Sequence, residues 1–180
     1  MSTTLEKNGP ALEAKGAKHL IFNLGDEFYG VPVLQVREII RLMEITPVPR
    51  MPPYIRGVIN LRGKIVPVLD LRLRLELAAA EPTRTTCIVV AQVITPSGSS
   101  SQMGLVVDGV EEVANISPAD IEEIPEFGTK PGLRFLCGIT KAKGKVLALL
   151  DIDRVLAADS VEKTTSSTPP PLISNPSRKL

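Results

Sequence analysis

Residues 54–72 read YIRGVINLRGKIVPVLDLR, and residues 135–153 read FLCGITKAKGKVLALLDID. Each is a pair of apolar runs around a basic residue and a glycine, Arg62-Gly63 in the first and Lys143-Gly144 in the second. That is a hairpin signature, because glycine supplies the left-handed conformation that a tight turn requires. A shift of 81 residues carries Gly57, Gly63, Lys64, Leu69 and Asp70 onto Gly138, Gly144, Lys145, Leu150 and Asp151. Between them, Ile65, Val66 and Val68 meet Val146, Leu147 and Leu149. Nearer the N-terminus a shift of 74 carries Gly30, Val36, Glu38 and Ile39 onto Gly104, Val110, Glu112 and Val113. The difference of seven falls in the connections, 40–56 against 114–137, where added length costs little. Chance matches compete, since Val and Ile are common, but the shared order of glycines, turn and aspartate favours a duplication. The expected architecture is therefore two similar all-β units, with few and short helices. Strands this short avoid exposed edges by curling into small barrels, and two barrels side by side leave a groove.

Working outward, HLIFNLGDEFYGVPV (19–33) alternates as two strands joined at Gly25-Asp26-Glu27. The prolines at 47, 49, 52 and 53 exclude a regular helix or a central strand there. TTCIVVAQVI and SQMGLVVDGVEEVANI are further buried strands, with TPSGSS as their loop. LDLRLRLEL (69–77) alternates like a strand, yet Asp70 is placed to cap a helix, which favours strand through Leu69 and a helical turn beyond it. Residues 1–18 and 161–180 lack the apolar period needed to offset the entropy of ordering, and read as disordered tails, the second rich in Pro, Ser and Thr. A folded region over 19–160 remains, with its two barrels expected over roughly 19–85 and 86–160.

Composition narrows the function. Of 180 residues, 21 are Lys or Arg and 20 Asp or Glu, so no global field attracts nucleic acid or an anionic membrane. No apolar run approaches the length of a spanning helix or a signal peptide, which points to the cytosol. Cys87 and Cys137 read as reduced, half-buried thiols. The one histidine, His19, starts the first strand and reads as a surface or edge residue rather than a base. No Ser or Cys has a second His to activate it, and no ligand spacing offers a metal site, so neither an enzyme nor a cofactor is expected. Glu111, Glu112, Asp120, Glu122, Glu123 and Glu126 match no calcium loop and read as a solvated acidic face. A nucleic-acid-binding barrel needs a basic groove with stacking aromatics, and aromatics are only 3%. Residues 19–85 carry 9 basic against 7 acidic side chains, a balance of +2, and residues 86–160 carry 6 against 10, or −4, as would suit two different partners.

The segments FNLGDEFYGVPVLQVREI, YIRGVINLRGKIVPVLDLR, GLVVDGVEEV and LCGITKAKGKVLALLDI together resemble the CheW family of bacterial chemotaxis coupling proteins. The resemblance spans about 20–156, and the turn NLRG followed by an apolar strand and Asp-Leu-Arg is its most specific part. It implies two intertwined SH3-like five-stranded barrels around a shared core. It also implies a non-catalytic adaptor between a chemoreceptor's cytoplasmic tip and the regulatory domain of a CheA-type histidine kinase. Such an adaptor is a monomer when free, inserts in no membrane, binds no nucleic acid, and is recruited from the cytoplasm to receptor arrays. A related pilus or surface-motility pathway is the alternative output. By resemblance Arg62, Glu38 and Val36 face the receptor, and Phe127 with Glu126 faces the kinase. Simple core burial competes for Val36, and a solubilising turn competes for Arg62. The stretch IEEIPEF (121–127) is more acidic than usual in the family, and Gly57, Gly63 and Gly144 are expected to serve backbone turns and close approaches.

Overall fold

In the computed structural model, which describes residues 16–94, 97–124 and 131–156, β1 (Ala17–Leu24) and β2 (Glu27–Pro32) form an antiparallel hairpin turning at Gly25-Asp26. β3 (Val36–Arg41), β4 (Ile55–Leu61) and β5 (Lys64–Asp70) follow, then the single turn of α1 (Leu71–Arg74). β6 (Cys87–Ile94), β7 (Ser100–Val107), β8 (Gly109–Ile116), β9 (Leu136–Ala142) and β10 (Lys145–Leu150) complete the strands. They make two five-stranded sheets, ordered β8-β1-β2-β10-β9 and β3-β6-β7-β5-β4.

Adding five to each strand number converts one order into the other. The register obeys the same rule: Leu149 lies opposite Gly30 where parallel β10 meets β2, and Val68 opposite Gly104 where parallel β5 meets β7. Both glycines are there for a close approach. A Cβ on Gly30 would sit 3.1 Å from Leu149 and 3.2 Å from Ile21, and one on Gly104 would sit 3.3 Å from Val68 and 2.8 Å from Ile88. The duplication is therefore present in three dimensions. The expected division into barrels at residue 85 is not: the first sheet joins β1 and β2 to β8–β10, and the second joins β3–β5 to β6 and β7. The two halves are the repeats, and each sheet borrows strands from both. β1 also begins at Ala17, two residues inside the expected N-terminal tail; the rest of both tails, apart from residue 16, lies outside the described residues.

This exchange explains the continuous apolar runs, since strands covered on both faces lose the polar alternation. In β6, Ile88 and Val90 point into the core of their own sheet with Ile59, Val66, Val68 and Val106. Val89, Ala91 and Val93 point the other way, into a core shared by both sheets with Leu20, Phe22, Leu105 and Phe135. β1 does likewise, with Ile21 inward beside Leu147 and Leu149, and Phe22 in the shared core. On the axis between repeats, Arg74 lies buried with its guanidinium 4.2 Å from the Tyr54 ring and 4.7 Å from the Phe135 ring. Its Nε donates to the carbonyl oxygen of Val155 at 2.8 Å. The 81-residue shift exchanges Tyr54 with Phe135 and Arg74 with Val155, so one cation occupies a place the symmetry offers twice.

The strand-to-helix change after β5 follows the sequence. Asp70 has extended backbone angles and its carboxylate accepts from the Leu73 N–H at 3.3 Å, which caps α1. His19 departs from expectation. It is buried in β1, which lies between β2 and β8, and its Nδ1 is 3.0 Å from the Ala17 carbonyl oxygen. Cys87 is half-buried as expected and Cys137 is exposed; both are free thiols, and burial pushes their pKa values upward.

Candidate docking site

Arg62 stands at the tip of the β4–β5 hairpin. Both turn residues are left-handed, Arg62 at φ 53° and Gly63 at φ 85°, and the Asn60 side chain accepts from the Gly63 N–H at 2.9 Å. Paired left-handed residues match the twist of the flanking strands. The unexpected part is that a non-glycine holds one of these positions, which aims the Arg62 side chain back across the sheet. There it meets Glu38 of β3 through two parallel hydrogen bonds, Nη1 to Oε1 at 2.6 Å and Nη2 to Oε2 at 2.8 Å. β3 and β4 are the two edge strands of this sheet, so the fork bridges its open edges. The Arg62 bonds hold the Glu38 carboxyl below the usual carboxylate range.

The Arg62 side chain is 73% exposed and Glu38 27%, and with Arg37, Leu61, Lys64 and Gln102 they line a shallow polar depression. Ile39, next to Glu38 on β3, and Ile65, three residues past Arg62 on β5, are both exposed. Val36, at the start of β3, is half-buried and packs against the shared core. Phe127 and Glu126 lie outside the described residues.

Gly57 has φ 143°, and a Cβ there would come within 2.0 Å of the Thr46 carbonyl oxygen. It lets residues 46 and 58 exchange two backbone hydrogen bonds of 2.9 Å each. Gly63 and Gly144 face open space, and at φ 85° and 78° their use is purely conformational.

Two polar arrangements escape a reading of the sequence strand by strand. Lys143, at the β9–β10 tip with φ 50°, pairs with Glu112 of β8. The repeat shifts of 81 and 74 already relate these two to Arg62 and Glu38, which is the signal that could have found them. The second arrangement has no repeat counterpart: Arg72 Nε donates to Asp108 at 2.9 Å, and Asp108 also accepts from the Gly25 N–H at 2.7 Å. It ties α1 and the β7–β8 corner to the β1–β2 turn, joining the two sheets, and Arg72 holds the Asp108 carboxyl below its ordinary range.

A larger groove, of about 630 Å³, lies elsewhere, between β2, β10 and the segments after α1 and before β9, with Phe28, Tyr29, Leu75, Leu133 and Val146 among its walls. In the larger groove the Tyr29 hydroxyl donates to the Glu27 carboxylate. No three His, Cys, Asp or Glu side chains among the described residues converge as metal ligands, and no helix there is long and apolar enough to cross a membrane.

A family model described as the CheW-like domain matches residues 18–160. The chain belongs to the CheW-like family. The chemotaxis protein CheW of Rhizobium meliloti is 36% identical over 148 residues, covering 82% of this chain and 92% of that protein. Protein FrzA of Myxococcus xanthus is 34% identical over 137 residues, covering 75% and 82%. Among solved structures, the scaffolding protein TtCheW from Thermoanaerobacter tengcongensis is similar with a TM-score of 0.70 and 32% identity, over 79% of this chain and 93% of that one. Each five-stranded sheet is thus one SH3-like barrel of the CheW-like pair.

Proposed function

We propose that the chain is a non-catalytic adaptor of bacterial chemotaxis, which joins the cytoplasmic tip of a chemoreceptor to the regulatory domain of a CheA-type histidine kinase. The observation that carries the proposal is the Arg62 fork: an exposed guanidinium already oriented by Glu38, flanked by exposed Ile39 and Ile65, in a CheW-like fold. A pre-oriented planar donor beside apolar surface loses little entropy on docking. The receptor contacts this face, while Phe127 and Glu126 contact the kinase. The adaptor works by holding two partners in a fixed relation, so receptor state passes on through altered contacts and populations. It acts in the cytoplasm, as a monomer when free, and gathers at receptor arrays without entering the membrane.

The test is titration of a receptor cytoplasmic fragment and, separately, of the kinase regulatory domain. Arg62→Ala is expected to weaken receptor binding roughly thirtyfold while leaving kinase binding unchanged, and Phe127→Ala to do the reverse. Equal losses for both partners would mean one shared surface, and binding to neither partner by the unaltered chain would refute the adaptor role. The similarity to FrzA favours a second reading, an adaptor in a pilus or surface-motility chemosensory pathway, and the kinase that the chain retains in pull-down decides between them.

A further inference from the structure

The internal twofold carries the docking face as well as the strands. It places Glu112 and Lys143 where Glu38 and Arg62 stand, and the second pair also bridges the edges of its sheet, from β8 to the β9–β10 tip. Lys143 and Arg62 hold the same left-handed turn position and are 69% and 73% exposed. The apolar surroundings repeat too: Ile39 and Ile65, 44% and 64% exposed, map onto Val113 and Val146, 51% and 57% exposed. Strand propensity favours β-branched residues, yet the other exposed positions of the edge strands β3 and β8 hold Arg37, Arg41, Glu111 and Asn115. Large apolar side chains kept in water at equivalent positions of both repeats, close in sequence to equivalent ion pairs, mark contact surface rather than fold.

We infer that Lys143, Glu112, Val113 and Val146 form a second docking face for the same class of partner as the Arg62 face, a chemoreceptor's cytoplasmic segment. The inference rests on the receptor reading of that first face. The charges shift in a way that specifies the contact. Lys141 stands where the first repeat has Asn60, and Glu111 where it has Arg37. Positive charge is thus gathered at the hairpin tip, on Lys141, Lys143 and Lys145, and withdrawn from the strand. The face fits a partner that presents carboxylates to the tip and separate apolar side chains to Val113 and to Val146, the latter at the wall of the groove beside Phe28 and Tyr29. Lysine lacks the paired planar donors of arginine, so this face binds more weakly.

Calorimetric titration of the full chain with a receptor cytoplasmic fragment separates the two. Two phases are expected, the second roughly tenfold or more weaker. Arg62→Ala removes the strong phase; Val146→Glu and, independently, Lys143→Glu remove the weak one at an unchanged melting temperature. A single phase that responds to Arg62→Ala and ignores both other variants overturns the second face and leaves the first standing. A single phase that responds only to Val146→Glu and Lys143→Glu overturns the receptor reading of Arg62 and keeps this face. No binding at all overturns both.

Discussion

Arg62 and Asp108 show how the same ion-pair chemistry serves two ends. Arg62 and Glu38 face water, and their geometry matters for a partner more than for the fold. Glu38→Gln should therefore weaken receptor binding, but less than Arg62→Ala, because it frees the guanidinium without deleting it. The same titration measures both. Asp108 is enclosed by Arg72 and the Gly25 N–H and bridges the barrels. Its carboxyl is held below the ordinary range, so its folded pKa lies below the unfolded value of about 4. The pair then contributes fully above that value, and the contribution is lost as pH falls through the folded pKa. In an acid series of thermal melts, Asp108→Asn should lower stability near neutrality and flatten the loss below about pH 4. Arg62 was legible as an exposed turn residue because apolar runs on both sides leave it no core role. Its carboxylate partner was not, since Glu38 is 24 residues away and only the closure of the sheet brings the two together.

Among the elements, the hairpins were the easiest to read, because a glycine after a polar residue between apolar runs has few other uses. The glycines nevertheless differ in consequence. Gly57→Ala drives a Cβ into the Thr46 carbonyl at a φ that other residues avoid, and should cost at least about 2 kcal/mol in denaturant melts. Gly138→Ala, at the equivalent position but outside the left-handed region, meets the Ile121 Cγ2 methyl at 2.5 Å rather than backbone, and should cost less. Equal losses would show that the two repeats are more alike than their contacts. α1 was readable from Asp70, while the burial of Arg74 was not, because its two rings belong to different repeats. Arg74→Val should lower stability by about 2 kcal/mol or more through lost cation–ring contacts and packing. Val155→Arg in the same chain should restore part of it, since the shift that exchanges these positions also exchanges the rings. A double variant no more stable than Arg74→Val would show that the site is not symmetric enough to accept the cation from the other side.

For the whole molecule, the duplication was present in the order of residues, whereas the break of residues 100–116 into two strands at Asp108 and the partition of strands between barrels were not. Local patterning says which residues are extended; it is silent on whether β2 pairs with its own repeat or with β10, 113 residues further along from Pro32 to Lys145. Long-range pairing is decided by the shared core, where Phe22, Val89, Leu105 and Phe135 meet from both halves. A cut at residue 85 therefore divides each barrel. Fragments 16–85 and 86–156 should each be largely unfolded by circular dichroism and should regain the fold when mixed. A fragment that folds alone would refute the reciprocal exchange of strands. The same exchange sets an order of events on the ribosome. The barrel of β3–β7 is complete once Val107 has emerged, whereas the β1–β2 hairpin, made first, waits for Leu150. Those 118 residues after Pro32 take roughly 6–24 s to synthesise at about 5–20 residues per second. Throughout that time Leu20, Phe22 and Val31 lack part of their cover, so that ribosome-bound chains stalled before Leu150 are expected to expose them.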